Sequence, residues 1–269
     1  MPCGPWEVMG ALEAPPLLFL TGVVLAQTND ALLPRIDADR FRPTVDGRFT
    51  LWTYDAARGQ SLRPSFRVLA HYAHEPLVYT YEGGDTAAVL QHVVETDLVA
   101  GFAFDRFRLG AIVPVYALAT SEVASTQAGL GDIGIDGKVV LFDGENAPAR
   151  LAVSGRLGLP TATLSNALGA RKLTWEVTGI ADRDFGNANV ALNVGMRGGP
   201  NVQLENVRVD DYLVARVGAG YQIVPWLGVG GEVAADVPLH SDAADALAVE
   251  WLLNGRANVS RNLQLRVAF

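Results

Sequence analysis

The sequence predicts an all-β fold, an antiparallel transmembrane β-barrel of about twelve strands when complete. Apolar and polar residues alternate strictly along much of the chain, which places them on opposite faces of strands. The alternating segments run for about nine to thirteen residues, and the connections between them are short and long in turn. Hydrophobic residues make up 49% of the chain, yet no run reaches the ~18 apolar residues of a membrane helix.

Eleven segments alternate clearly, and an amphipathic helix would instead repeat its apolar residues every three or four positions. In one of them Val190, Leu192 and Val194 oppose Asn189 and Asn193. In chain order the predicted strands are 66–73, 89–104, 107–117, 132–142, 149–160, 174–182, 188–197, 211–223, 227–238, 246–256 and 263–269. The stretch FTLWTY (49–54) could form one more strand.

The lengths favour a membrane barrel over a soluble sandwich, whose strands average about five or six residues. Short connections at 105–106, 144–147, 184–187, 224–226 and 257–262 alternate with mostly long ones near 74–88, 118–131, 161–173, 198–210 and 239–245. Short turns on one side and long loops on the other are typical of outer-membrane barrels. A soluble β protein remains the alternative, and a lipocalin-like barrel would reverse the faces, with apolar residues inside.

The N-terminal region predicts export. Residues 1–26 are interpreted as a signal peptide, because PPLLFLTGVVLA is a short apolar core and Val24 and Ala26 suit cleavage before Gln27. No Lys or Arg precedes Arg35, which departs from this pattern and leaves a buried apolar segment as the alternative. Residues 27–61 are then an N-terminal extension, which could add a strand, and 62–269 are the barrel. The expected location is the outer membrane, with outer-membrane lipid and the barrel assembly machinery as partners.

Composition and motifs argue against several other functions. The net charge of −8 argues against nucleic acid as a partner. The single cysteine, Cys3, lies in the predicted signal peptide, and no G-x-S-x-G motif occurs. His71 and His74 would face opposite sides of a strand, and His92 and His240 look isolated. We therefore expect no enzyme, no catalytic residue, no metal site and no cofactor; a hydrolase pairing His92 with Ser125 or Ser121 is a minor alternative.

The polar faces of the predicted strands carry charges of both signs. The candidate pore-lining residues are Glu95, Asp97, Arg108, Asp136, Lys138, Arg150, Arg156, Glu176, Arg216, Glu232, Asp236, Glu250 and Arg256. They could line an open pore and tune its ion selectivity. They could equally form an internal salt-bridge network that fills a narrow barrel. A barrel of about twelve strands lies between the filled and the open cases.

A parity argument concerns the last strand. The short connection at 257–262 precedes it, so this strand would run outward and end outside. Bacterial single-chain barrels use even strand numbers, and eleven is odd. We therefore expect that at least one closing strand is missing and that the chain is a truncated version of a longer protein.

Three stretches carry a family likeness: FRPTVDGRFTLWTYDAARG (41–59), HYAHEPLV (71–78) and GLGDIGIDGKVVLFDGENAPARLAVSGRLGLPT (129–161). Together they resemble the barrel region of large OmpA-family outer-membrane proteins. The G-L-G-D motif, with the following strands ending in L-P-T, is similar to transporters of phenol-degradation pathways. The resemblance, which covers about residues 41–269, implies an outer-membrane barrel, often followed by a peptidoglycan-binding domain that is absent from this chain.

The function expected from the barrel is structural, or porin-like with passive passage of small solutes. A surface-loop binding or adhesion barrel and a transporter of hydrophobic compounds are the alternatives.

Overall fold

The computed structural model describes residues 37–38, 40–59, 64–80, 86–144, 148–164, 167–199, 202–204, 207–209, 211–239, 248–258 and 264–268. Their regular structure is entirely β. The strands are β1 (Pro64–Thr80), β2 (Thr86–Phe104), β3 (Phe107–Ala119), β4 (Gln127–Leu130), β5 (Gly134–Phe142), β6 (Arg150–Gly158), β7 (Thr174–Phe185), β8 (Ala188–Gly198), β9 (Val202–Leu204), β10 (Val207–Val209), β11 (Tyr212–Val224), β12 (Leu227–Pro238), β13 (Ala248–Asn258) and β14 (Gln264–Ala268). The predicted signal peptide and His240 lie outside the described residues.

The strands form one antiparallel sheet that curves into a half-barrel. Its order is β1-β2-β3-β5-β6-β7-β8-β11-β12-β13-β14, with β4 as a side branch on β3, and β9 and β10 pair separately. The all-β prediction and the eleven predicted strands are thereby confirmed. The short strands β4, β9 and β10 were not predicted, because three or four residues are too few to show an alternation.

The connections alternate as expected. Two-residue turns at 105–106, 186–187 and 225–226 join β2 to β3, β7 to β8 and β11 to β12. Asp105 and Gly186 adopt positive φ angles of 47° and 62°, which tight hairpin turns require. The opposite end of the sheet carries the long connections. The β1–β2 connection, expected near 74–88, is shorter than predicted: it is only residues 81–85, because β1 and β2 extend further. The β5–β6 connection, expected at 144–147, is longer and comprises residues 143–149.

The two faces of the sheet differ sharply in polarity. On β8, Val190, Leu192, Val194 and Met196 are each 42–46% exposed, whereas Asn189 and Asn193 on the other face are buried. The same contrast recurs on the neighbouring strands. Their charged residues lie on the concave face, together with a few buried apolar residues such as Val99, Ile112 and Val214, and the convex face is apolar. A soluble barrel has the opposite arrangement.

Residues 49–54 do not form the additional strand that their alternation suggested, so that expectation is wrong. They belong to an irregular stretch that lies against the polar face of the sheet. Thr44, Val45, Thr53 and Ala56 are completely buried there. The described part of the predicted N-terminal extension therefore lies in the interior of the half-barrel.

The connection between β6 and β7 folds over the sheet at the long-connection end. Leu164 and Leu168 pack in one apolar cluster with Leu90 and Tyr116. Asp132, of the G-L-G-D motif, anchors this connection, because its carboxylate accepts the N–H groups of residues 161, 162 and 171 at 2.9–3.1 Å.

Candidate functional site: a charged interior occupied by residues 41–59

Residues 41–59, here called the interior segment, cross the half-barrel from one end to the other. Just before the segment, the N–H of Ala38 donates to the carbonyl of Ala167 at 2.9 Å, at the long-connection end. At the short-turn end Arg58 pairs with Asp105 at 3.0 Å and with Asp143. The segment is thus held at both ends as well as along its length.

Side chains of the sheet, rather than another strand, satisfy the backbone of the segment. Glu232 on β12 accepts the N–H groups of Leu51 (2.6 Å), Trp52 (2.8 Å) and Thr53 (2.6 Å). Asn193 on β8 accepts the N–H of Tyr54 at 2.7 Å and donates to its carbonyl at 2.9 Å. Buried backbone groups need such partners, which explains why this stretch can remain irregular.

Carboxylates of the segment enter an ionic network with the sheet. Lys138 lies 2.6 Å from Asp46 and 3.8 Å from Asp55, and Arg108 lies 3.4 Å from Asp46 and 2.6 Å from Asp136. Burial raises the pKa of Asp46, but Lys138 and Arg108 lower it by more, so the pKa lies below its usual value. For Asp55, burial outweighs Lys138, and the pKa is raised.

Tyr54 connects the segment to β5 and β6. Its hydroxyl donates to the Asp136 carboxylate, and Arg156 donates to the same hydroxyl at 2.9 Å and to the Pro43 carbonyl at 2.5 Å. Burial raises the pKa of Tyr54 well above its ordinary value. The phenol therefore stays neutral and acts as a hydrogen-bonding bridge.

A second ionic cluster lies near the short-turn end. Arg48 of the segment lies 3.0 Å from Asp182 and 3.1 Å from Asp184, and Arg150 contacts the same two carboxylates at 2.5 and 2.6 Å. Two arginines thus share two aspartates, so the charges of the cluster largely compensate one another.

Two further pairs join strands across the polar face. Glu176 and Arg216 form a two-point contact at 2.7 and 3.2 Å. Arg197 lies 2.6 Å from Asp236. Because paired charges satisfy each other, these side chains need no water-filled pore around them.

All thirteen residues singled out from the sequence lie on the less exposed face of their strands. Nine are buried: Glu95, Asp97, Arg108, Asp136, Lys138, Glu176, Arg216, Glu232 and Asp236. Four are partly exposed: Arg150, Arg156, Glu250 and Arg256. The sequence reasoning missed partners that complete the network, namely Asp46, Asp55, Asp182, Asp184 and Asn193.

Glycines on the polar face make room for the segment. A Cβ atom added at Gly220 would lie 2.2 Å from the Cβ of Phe49, and one at Gly218 would lie 2.7 Å from Thr50. At Gly230 it would lie 2.5 Å from the Phe49 carbonyl oxygen. This column of glycines on an otherwise charged face was a sequence signal for a close backbone approach.

The histidines take different surroundings. His71 faces inward, 3.5 Å from Glu95. His74 faces outward and stacks on His92, with ring centroids 5.1 Å apart, and the Tyr72 hydroxyl lies 2.7 Å from His92 Nδ1. The expectation that His92 is isolated is therefore wrong, because antiparallel pairing places it directly opposite His74.

Within the described ranges, no group of three or more His, Cys, Asp or Glu side chains is arranged to hold a metal ion. No helix that is long and apolar enough to cross a membrane occurs in the same ranges. No protein-family model matches the sequence, and comparison with curated proteins found no match.

Proposed function

We propose that this chain is an outer-membrane β-barrel protein whose lumen is occupied by its own residues 41–59. Its role is structural, or porin-like in a closed form in which passage of small solutes requires displacement of the segment. Outer-membrane lipid and the barrel assembly machinery are the partners that this proposal implies, and it assigns the chain no catalytic role.

The main support for the proposal is the polarity of the sheet, whose apolar face points outward, the reverse of a soluble barrel. Phe66, Leu109, Val177, Val233 and Trp251, from five different strands, are each 48–79% exposed on the convex face. In water such a surface would cost roughly 25 cal/mol for every Å². In a bilayer the same surface is favourable, and pairing within the sheet satisfies the backbone groups that lipid cannot.

The contacts of the interior segment favour a closed lumen over an open pore. The candidate lining residues Lys138, Arg156 and Glu232 bond directly to the segment instead of facing open space. The kinship with OmpA-family barrels remains a prediction.

Fractionation and gel electrophoresis test the membrane assignment. The full chain is exported and the outer membranes are isolated, and boiled and unboiled samples are then compared. A folded membrane barrel resists detergent and changes its migration on boiling. Recovery as a soluble periplasmic protein without this shift would refute the assignment.

Conductance in planar bilayers tests whether the segment closes the lumen. Glu232→Ala removes the acceptor of three N–H groups, so we expect larger and more frequent conductance steps than for the unaltered chain. Glu122→Ala is the matched control, because Glu122 also accepts a backbone N–H, that of Ala88 at 2.7 Å, but in a connection outside the interior. Equal conductance of the two variants would contradict the closed-lumen proposal.

A further inference from the structure

The described sheet has two free edges, on β1 and on β14. β1 is 17 residues long and pairs on one side with β2. β14 pairs on one side with β13, over residues 254–258 of that strand. The other side of each strand has no strand partner in the described part of the chain. We call the gap between these two edges the seam.

The directions of the strands restrict how the seam can close. Eleven strands lie along the path from β1 to β14, and each is antiparallel to its neighbour. β1 and β14 therefore run the same way, and direct pairing between them would be parallel. One additional strand between them would be antiparallel to both. It would also make the number of strands even, as bacterial barrels require.

The seam contains the space for such a strand. A cavity of about 1940 Å³ extends along it. On the convex side its walls include Phe66 and Val68 of β1, Trp251 of β13, and Leu265 and Val267 of β14. These side chains are 57–79% exposed, so a strand that fills the seam would continue the apolar outer surface with apolar residues of its own.

Arginines outnumber carboxylates on the inner side of the seam: six arginines line the cavity, against Asp46, Asp55 and Glu250. Arg67 and Arg266 donate to the carbonyl of Gly47 at 3.4 and 2.7 Å, and Arg256 and Arg266 donate to the carbonyl of Arg48 at 2.6 and 2.9 Å. Thus three guanidinium groups, from β1, β13 and β14, converge on two neighbouring carbonyls of the interior segment.

Among the described residues, these three arginines donate to carbonyl oxygens, and the carboxylates of Asp46 and Asp55 act on Arg67 only from a longer distance. None of them forms an ion pair with a carboxylate among the described residues, in contrast to Arg108, Arg150 and Arg216. Arg256 also lies directly opposite Arg266 in the β13–β14 register. Like charges in this position destabilise a sheet, and a carboxylate nearby would relieve the repulsion.

We propose that the seam binds one extended segment of a partner polypeptide, about ten residues long, antiparallel to both β1 and β14. Its residues alternate between apolar side chains that face outward and Asp or Glu side chains that face Arg67 and Arg266. The apolar half of this pattern rests on the proposed lipid-facing location, whereas the direction and the acidic half rest on the seam itself.

Disulfide cross-linking to a synthetic peptide tests this proposal. The full chain with Cys3→Ser carries one new cysteine, Val68→Cys on β1 or Leu265→Cys on β14. It is placed in detergent micelles with a mild oxidant, which takes up the two electrons and two protons that disulfide formation releases. The probe is a peptide of about ten residues in which valine alternates with glutamate, with a cysteine at one outward position. We expect both edge variants to cross-link about tenfold faster than Val177→Cys, an equally apolar outward position on β7, whose two edges are both paired.

A second comparison varies the charge of the peptide. A peptide with lysine in place of glutamate should cross-link weakly to the unaltered seam and strongly to the Arg67→Glu/Arg266→Glu double variant. Equal cross-linking of the two peptides, or equal reaction at Val177→Cys, would overturn the proposal. Two further results would also overturn it. A disulfide within a chain that carries both Val68→Cys and Leu265→Cys would mean that the two edges meet directly. Disulfide-linked dimers of the Val68→Cys variant would mean that a second copy of the chain fills the seam.

The outcome is separable from that of the proposed function. If the chain shifts on boiling but does not cross-link to the acidic peptide, the membrane-barrel assignment is supported and the seam proposal is refuted. If the chain is soluble and does not shift on boiling, the membrane-barrel assignment is refuted, regardless of the cross-linking result.

Discussion

Three of the inward glycines make room for residues 49–53 of the interior segment. Gly218 and Gly220 on β11 and Gly230 on β12 leave a shallow surface, and the backbone and side chains of residues 49–53 occupy it. Larger residues there would exclude the segment without disturbing the pairing of the strands. The position of the segment therefore depends on glycines, which have no side chain, as much as on the charged residues that bond to it.

Replacing Gly220 with leucine tests this fit. The new side chain would overlap Phe49, so we expect Gly220→Leu to lower the free energy of unfolding by about 1–3 kcal/mol. Gly255→Leu is the control, because a Cβ at Gly255 meets no atom within 4 Å. Denaturant unfolding in detergent, followed by tryptophan fluorescence, measures both variants. An equal loss in the two would show that the Phe49 contact is unimportant.

The lowered pKa of Asp46 predicts a pH dependence. Because this pKa lies below that of the unfolded chain, about 3.9, the stability contributed by Asp46 is present above that pH. It is lost as the pH falls through the folded-state value. Asp46→Asn should therefore reduce the stability at pH 7 and make its loss below about pH 4 shallower.

Asp55→Asn is the comparison for Asp46→Asn. Burial raises the pKa of Asp55, so its charge is disfavoured in the folded chain and its removal should cost less at neutral pH. The two variants are compared by their free energies of unfolding, measured from pH 3 to pH 8. Identical pH profiles for the two variants would contradict the opposite pKa shifts.

At the level of the strands, alternation encodes the fold almost directly. A residue on β8 such as Val194 must face one side and Asn193 the other, so the sequence alone predicts both the strand and the polarity of its faces. The same rule placed the thirteen charged residues on the inner face. It could not predict their partners, because pairing depends on which strands become neighbours in space.

Alternation also misled at residues 49–54. FTLWTY has the pattern of a strand, but its N–H groups bond to Glu232, about 180 residues later in the chain: the separation from Trp52 is 180. No local pattern carries information about an acceptor so distant. The identity of this stretch as an interior segment therefore emerges only from the three-dimensional arrangement.

One strand offers a matched test of the proposal that the convex surface faces lipid. Val233 and Val237 lie on the same face of β12, the first near the middle of the strand and the second near its end. We expect Val233→Arg to cost about 2–4 kcal/mol and Val237→Arg about 0–1 kcal/mol, because the cost of a charge in lipid depends on depth. Folding titrations into lipid vesicles measure both, and equal costs would favour a water-exposed face.

At the scale of the whole molecule, the interior segment and the curved sheet act as two complementary parts. Deletion of residues 41–59 should leave the strands paired, while the buried charges lose their partners in the segment. We expect higher conductance and a lower temperature for the gel shift. A synthetic peptide of residues 41–59 should restore both values, whereas a scrambled peptide of the same composition should not. Unchanged conductance after the deletion would mean that the segment does not close the lumen.

The contacts of the interior segment also predict an order of folding. Arg266 reaches the carbonyl of Gly47 across a sequence separation of 219 residues, and Glu232, Asn193 and Asp182 bind the segment across more than a hundred. Contacts between such distant residues form late, because closing a long loop costs conformational entropy before the contact contributes any stabilising free energy. We therefore expect residues 41–59, which are synthesised early, to reach their native places only after the strands that surround them. A binding protein that holds this stretch would then delay the final step of assembly.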